Sequence, residues 1–235
     1  MIIYLCAFIE PRYIKQAKVC IRSIREKGQF KGDIYLFTDL DVYIKDVIII
    51  QTNVKNVEFS ASFRLRIFDY LSLENIPNNE VLLYLDTDIV VVNKIPSFEN
   101  IKDKIYLYGY PSKTQEGASC AGFITIDKHY TSKREICSGI LLFRPSKKIK
   151  RVLDEAYSLY KTLVNRNKIN EYWEQPALSY TLTKYDMVEP LLDKYVLELR
   201  ENTTITKDII FIHYCGIRDN NIYKMMENMI EESMV

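Results

Sequence analysis

The sequence predicts an α/β fold: a mixed, mostly parallel central sheet flanked by helices. Three observations lead there. Short β-branched segments alternate with segments of helical period along the whole chain, the pattern of a sheet covered by helices. The run Val81-Leu82-Leu83-Tyr84-Leu85 continues, after Asp86-Thr87-Asp88, into Ile89-Val90-Val91-Val92; an apolar stretch of this kind suits a strand buried on both faces. Hydrophobic residues make up 48% of the 235 positions and no linker or repeat interrupts them, so residues 1–235 are expected to form a single domain.

The elements follow in order. Ile2–Ile9 reads as the first strand. From Tyr13 the apolar positions change to helical spacing (Ile14, Ala17, Cys20/Ile21, Ile24), with Gly28 as the stop. Asp33–Thr38 and Val47–Gln51 are the second and third strands. Ser62 is placed to N-cap a helix running to Leu73, with Phe63, Ile67, Tyr70 and Leu71 turned inward. A turn over Asn75–Asn79 leads to the strand that carries the two acids. Ile105–Tyr110 and Ile140–Arg144 are further strands, joined by a polar loop from Pro111 to Ile136. Pro145-Ser146 opens a long helix with Ile149, Val152/Leu153, Ala156, Leu159/Tyr160 and Leu163 on one stripe. Pro176 suits the first turn of another helix. Val196–Leu199 and Ile209–Ile212 are late strands, and Tyr223–Met234 a terminal helix.

Composition removes several classes of function. A net charge of +1 gives no broad field for nucleic acid or an anionic membrane. No apolar stretch reaches the roughly 20 residues of a membrane span. The seven glycines are too dispersed for a dinucleotide fingerprint or a phosphate-binding P-loop. Five cysteines without C-x-x-C spacing point to thiols in a reducing compartment, hence a cytoplasmic protein.

Asp86 and Asp88 are the main chemical signal. On an extended chain, side chains two apart point the same way. Two converging carboxylates in apolar surroundings cost several kcal/mol per ion unless a positive charge answers them, and a divalent cation does so economically. Hard carboxylate oxygens select Mn²⁺ or Mg²⁺. His213, ending the apolar run Ile209-Ile210-Phe211-Ile212, is a third possible ligand; imidazole shifts the preference toward Mn²⁺. Gly216 lets the chain turn close to a ligand. Arg64, in the first turn after Ser62, can face an anion together with the helix N-terminus. Cys137-Ser138-Gly139 offers a hydroxyl and a glycine before an apolar strand, though small residues there also occur without a ligand. Tyr172-Trp173-Glu174-Gln175-Pro176 joins an aromatic face to a carboxylate and an amide, which suits either a hydroxyl-rich ligand or a capping segment around a buried Trp. His129 lies in a polar stretch and reads as a loop residue.

These segments, in this order, resemble glycosyltransferase family 8, the GT-A-fold group of the glycogenin and LgtC galactosyltransferase type. The matching pieces are the first strand with Tyr13, Phe63-Arg64-Leu65, Leu83-Tyr84-Leu85-Asp86-Thr87-Asp88, Ser138-Gly139-Ile140-Leu141-Leu142-Phe143, Glu174-Gln175 and His213-Tyr214-Cys215-Gly216. The resemblance implies a retaining glycosyltransferase using a UDP-sugar of the UDP-glucose or UDP-galactose type. It implies Mn²⁺ on Asp86, Asp88 and His213, with Asp86 also near the ribose. It implies Ala7 and Tyr13 by the uracil and ribose, and Arg64 on donor phosphate or sugar. Ser138 and Gly139 would flank the donor sugar, Glu174 and Gln175 would lie near its anomeric carbon, and Arg218 would serve the diphosphate. The chain departs from the family pattern at Cys137, where an Asn is usual, at Glu174, where an Asp is usual, and at Asp219, where a Lys is usual, with Arg218 one residue early. The departures leave open a non-catalytic sugar-nucleotide or glycan-binding module. A haloacid-dehalogenase-type phosphatase also has D-x-D after an apolar strand, but in its first strand, whereas here two or three strands precede it.

Overall fold

The computed structural model describes residues 1–53, 62–77, 79–111, 134–169, 174–199, 205–215, 217 and 221–232. They fall into two compact units, one of Met1–Val54, Leu83–Phe98 and Leu191–Val235, the other of Lys55–Leu82 and Glu99–Pro190.

In the first unit, β1 (Ile2–Ala7), β2 (Ile34–Thr38), β3 (Ile48–Gln51) and β4 (Leu82–Leu85) lie in the order β3-β2-β1-β4. β1 pairs with β2 and β2 with β3 in parallel, with Ala7 opposite Thr38. β1 stops two residues earlier than the sequence suggests. Ile9 adopts φ 70°, which no strand accommodates, and its N–H donates to Asp39 Oδ1 at 2.8 Å. Helix α1 (Pro11–Glu26) accordingly starts earlier than Tyr13, with proline in its first turn, where the missing N–H costs nothing. It buries Ile14, Ala17, Cys20, Ile21 and Ile24, the predicted stripe. Its end at Gly28 is steric: a Cβ there would meet the Ile24 carbonyl oxygen at 2.5 Å.

A second, three-stranded sheet in this unit has β5 (Ile89–Val91) antiparallel to β10 (Phe211–His213), and β10 parallel to β9 (Val196–Glu198). α1 and the terminal helix α4 (Ile222–Glu232) pack on each other and on β5. The buried Ser23 hydroxyl ties α1 to β5. It donates to the Cys20 carbonyl at 2.6 Å and accepts the Val91 N–H at 2.9 Å.

In the second unit β7 (Arg134–Phe143) pairs antiparallel with β6 (Ile105–Pro111), which pairs in parallel with the short β8 (Val188–Glu189). Helix α2 (Lys147–Asn165) begins at Ser146, whose Oγ accepts the Ile149 N–H. It packs through Tyr160 and Leu163 on Ala177 of α3 (Gln175–Lys184). The helix expected over Ser62–Leu73 is instead a 3₁₀ segment, Phe63–Asp69, kinked at Arg66 and followed by another over Leu73–Asn75. Ser62 makes no side-chain cap. With Phe63, Leu65, Ile67 and Phe68 all buried, a 3.6-residue stripe is replaced by inward residues too closely spaced for an α-helix. β7 begins at Arg134, so part of the predicted polar loop is strand. Among the described residues no helix is long and apolar enough to cross a membrane.

Ser23→Ala removes the side-chain acceptor of the Val91 N–H while leaving the core volume nearly intact. Urea unfolding is expected to show a loss of about 1–3 kcal/mol; unchanged stability would mean that this bond does not tie the helix to the strand.

Candidate functional site

The D-x-D residues do not lie on a strand. β4, buried along its length, ends at Leu85, and Asp86-Thr87-Asp88 form a turn into β5, a strand of the other sheet. Convergence of the two carboxylates therefore comes from the turn and not from a two-residue strand repeat. Thr87 is buried and donates to Gln16 Oε1 of α1 at 3.1 Å. The Asp88 carbonyl accepts the Tyr214 N–H at 3.0 Å. β10, antiparallel to β5, sets His213 opposite Ile89. The outcome is that ligand atoms of Asp86, Asp88 and His213 all lie within 4.8 Å of one another.

Each member is oriented by a neighbour. The Tyr84 hydroxyl, two residues back on β4, donates to Asp86 Oδ1. His213 is 2% exposed, with its Nε2 3.2 Å from Asp88 Oδ1. Burial alone would lower the imidazole pKa, but the charge and hydrogen bond of Asp88, aided by Asp86 and Cys215, raise it to about 9. The Cys20 thiol beneath the turn moves well upward, through burial first and then the charges of Asp88 and Asp86; it is inert at neutral pH. Two carboxylates and an imidazole, partly accessible and with one carboxylate braced, are a hard, mixed O/N donor set that fits Mn²⁺ or Mg²⁺.

A second cluster forms within the other unit, around an irregularity in β7. Tyr106 pairs with Leu142, but Tyr108 pairs with Cys137. β6 thus contributes one residue (Leu107) where β7 contributes four (Ser138–Leu141). Ser138 and Gly139 lie in this bulge, within the strand and not ahead of it. Side chains take up the Ser138 backbone groups: Arg64 Nη1 donates to its carbonyl at 2.9 Å, and its N–H donates to Gln175 Oε1 at 3.2 Å. Arg64 Nε lies 3.4 Å from Glu174 Oε1, and Glu174 is only 3% exposed. With no regular helix at Phe63, no row of helix amides joins Arg64 in facing an anion.

Ala7 is buried at the end of β1, and Tyr13 lies in the first turn of α1, its hydroxyl accepting from Arg12 at 3.2 Å. Gly216, Arg218, Asp219, His129, Tyr172 and Trp173 lie outside the described residues. Sequence reading missed Tyr84, although its position two before Asp86 on a strand carried the signal. It also missed Gln16 and Thr87, whose pairing joins residues 71 apart.

A mixed, mostly parallel sheet flanked by helices, with paired acids at a strand's carboxyl end, defines the GT-A fold. Solved structures sharing it include the galactosyltransferase LgtC in complex with donor and acceptor sugar analogs, at 14% identity and TM-score 0.65, covering 99% of this chain and 96% of that one. An active-site variant of LgtC matches at 13% identity and TM-score 0.65, with the same coverage. No family model matches the chain, and neither does any curated protein sequence.

Two outcomes are expected. In the metal-free protein, NMR titration places the His213 transition near pH 9, and Asp88→Asn moves it below the ordinary value of 6.5, because burial then dominates. The folded pKa exceeds the unfolded one, so the stabilisation from this pair is fully present below about pH 6.5 and is lost as pH rises through about 9. A His213 transition unaffected by Asp88→Asn would dismiss the pair. Separately, Glu174→Ala removes the buried carboxylate 3.4 Å from the mostly buried Arg64 guanidinium, and denaturant titration is expected to show about 3–5 kcal/mol of lost stability. A loss below about 1 kcal/mol would place the pair in effectively aqueous surroundings.

Proposed function

We propose that residues 1–235 form one glycosyltransferase domain, metal-dependent and retaining, that transfers a hexose from a UDP-sugar of the UDP-glucose or UDP-galactose type to an acceptor. The observation that carries this is the convergence of Asp86, Asp88 and His213 at the carboxyl end of β4, in a chain whose fold is that of a galactosyltransferase. In such sheets ligands sit beyond the carboxyl ends of the strands. The donor and acceptor sugar analogs bound by LgtC support the same reading.

In this scheme Asp86, Asp88 and His213 would hold Mn²⁺, or Mg²⁺. The cation, when bound, neutralises negative charge developing on the leaving nucleoside diphosphate. Tyr84 keeps one Asp86 oxygen in place, Asp86 also approaches the ribose, and Thr87 and Gln16 keep the turn rigid. Ala7 and Tyr13 lie by the uracil and ribose. Ser138 and Gly139 flank the hexose, Arg64 contacts donor phosphate or sugar, and Gly216 and Arg218 serve the diphosphate. Glu174 acts as counter-ion to Arg64, and Gln175 reaches the region of the anomeric carbon. Thiols at Cys6, Cys20, Cys137 and Cys215 support a cytoplasmic setting.

A thermal-shift panel of nucleotide sugars with and without Mn²⁺ tests the proposal. One UDP-sugar is expected to raise the melting temperature only with metal, by an amount equivalent to about 2.7 kcal/mol at a hundredfold excess over Kd. Asp88→Asn is expected to abolish the shift, and slow metal-dependent sugar release should accompany binding. Protection without any release would make the protein a binding module. UDP affinity in Mn²⁺ unchanged by Asp88→Asn would refute the metal assignment.

A further inference from the structure

Resting on the metal assignment within the glycosyltransferase reading, one buried phenol bears on which cation the cluster of Asp86, Asp88 and His213 prefers. Phe37 of β2, Tyr4 of β1 and Tyr84 of β4 stand on three neighbouring strands, and all three are buried. The Tyr4 ring meets Phe37 edge-on, with centroids 6.3 Å apart, and tilts against Tyr84 at 5.1 Å. A ring packed in such a row keeps one rotamer, because another would need space that a close-packed core lacks. The Tyr84 hydroxyl therefore arrives at a fixed point, and what it meets there is Asp86 Oδ1.

A phenol that donates to an ionised carboxylate makes a strong, charge-assisted bond. The bond holds the partly exposed Asp86 side chain in one orientation before any cation arrives. It also takes up one lone pair of Oδ1 and part of its charge, which disfavours binding a single cation through both Asp86 oxygens. Cations differ in how much that matters. Ca²⁺ accepts a flexible shell of roughly six to eight oxygens and often takes carboxylates through both, whereas Mg²⁺ and Mn²⁺ favour tighter octahedral shells.

We propose that Tyr84 is a positioning residue that tunes the cluster toward a small octahedral cation, Mn²⁺ or Mg²⁺, and against Ca²⁺. It acts through Asp86 and not by contact with the ion. The aromatic row has a purpose in this arrangement: it carries the stiffness of three buried strands to one carboxylate.

The test is calorimetry of the chelator-treated protein, titrated with Mn²⁺ and separately with Ca²⁺, in wild type and Tyr84→Phe. Phenylalanine keeps the ring in the row and removes only the hydroxyl. Mn²⁺ affinity is expected to fall about tenfold or more, the scale on which a lost outer-shell partner acts on a metal site. Ca²⁺ affinity is expected to change little, so the preference for Mn²⁺ narrows. Equal losses for the two cations would overturn the proposal, because a merely loosened turn gives that result. Unchanged Mn²⁺ affinity would overturn it as well. A second measurement needs no variant: a crystal of wild type grown with Mn²⁺ is expected to keep the Tyr84 hydroxyl on Asp86, and both Asp86 oxygens on the ion would refute the argument. Each of these failures leaves the metal assignment standing. A wild type that binds neither cation removes that assignment, and the role of Tyr84 with it.

Discussion

Three residues must carry the chain from the end of β4, in one sheet, to the start of β5, in another, and the candidate metal site follows from how that is done. A short connection between sheets cannot pair its own backbone in a ladder, so its polar groups need partners from elsewhere. They come from several elements. Gln16 of α1 accepts the Thr87 hydroxyl, the Tyr214 N–H donates to the Asp88 carbonyl, and Ser23 accepts the N–H of Val91, the last residue of β5. Burying Thr87 leaves the residues on either side of it partly accessible. Two acids flanking a buried threonine are thus presented together by the turn itself, and the β5–β10 pairing brings His213 to them.

The two clusters use charge in related ways, each inside its own unit. His213 and Asp88 form one close pair, Arg64 and Glu174 another. Buried pairs of this kind are weak contributors to stability, since desolvation offsets most of the attraction. Their effect is on position. A carboxylate beside a raised-pKa imidazole holds that imidazole in one orientation, and a guanidinium beside a buried carboxylate can aim its remaining donors at only a few acceptors. The proton that Asp88 and Asp86 favour on His213 answers the same two carboxylates as a bound cation would.

Much of this was legible in the residues. The apolar, β-branched run around Leu82–Leu85 identified β4, the helical stripes identified α1 and α2, and Gly28 marked the end of α1. Two acids next to that run, with His213, were enough to mark a candidate cluster, and the structure brings the three within 4.8 Å of one another. What was not legible depends on partners distant in sequence. Period-two spacing places Asp86 and Asp88 on one strand face, whereas the turn presents them, because nothing local says that β5 will pair with β10. The 3₁₀ segment at Phe63 replaced a helix because its buried positions are packed too closely for a 3.6-residue repeat. The bulge in β7 had no signal beyond Ser138-Gly139, since a bulge is a mismatch between two strands and only one was being read.

That mismatch also explains why polar residues cluster where they do in the second unit. A β-bulge releases backbone donors and acceptors that a regular strand would pair internally. In a buried setting each released group must find a side chain, and the side chains able to reach Ser138 are those of Arg64 and Gln175. The donor-only Arg64 guanidinium on the Ser138 carbonyl, and the donor-only Ser138 N–H on Gln175 Oε1, set the directions of the hydroxyl and amide beside them. Glu174 completes the network by holding the Arg64 guanidinium in place, its Oε1 3.4 Å from Nε. The Glu174 side chain therefore sets the length of that counter-ion arm.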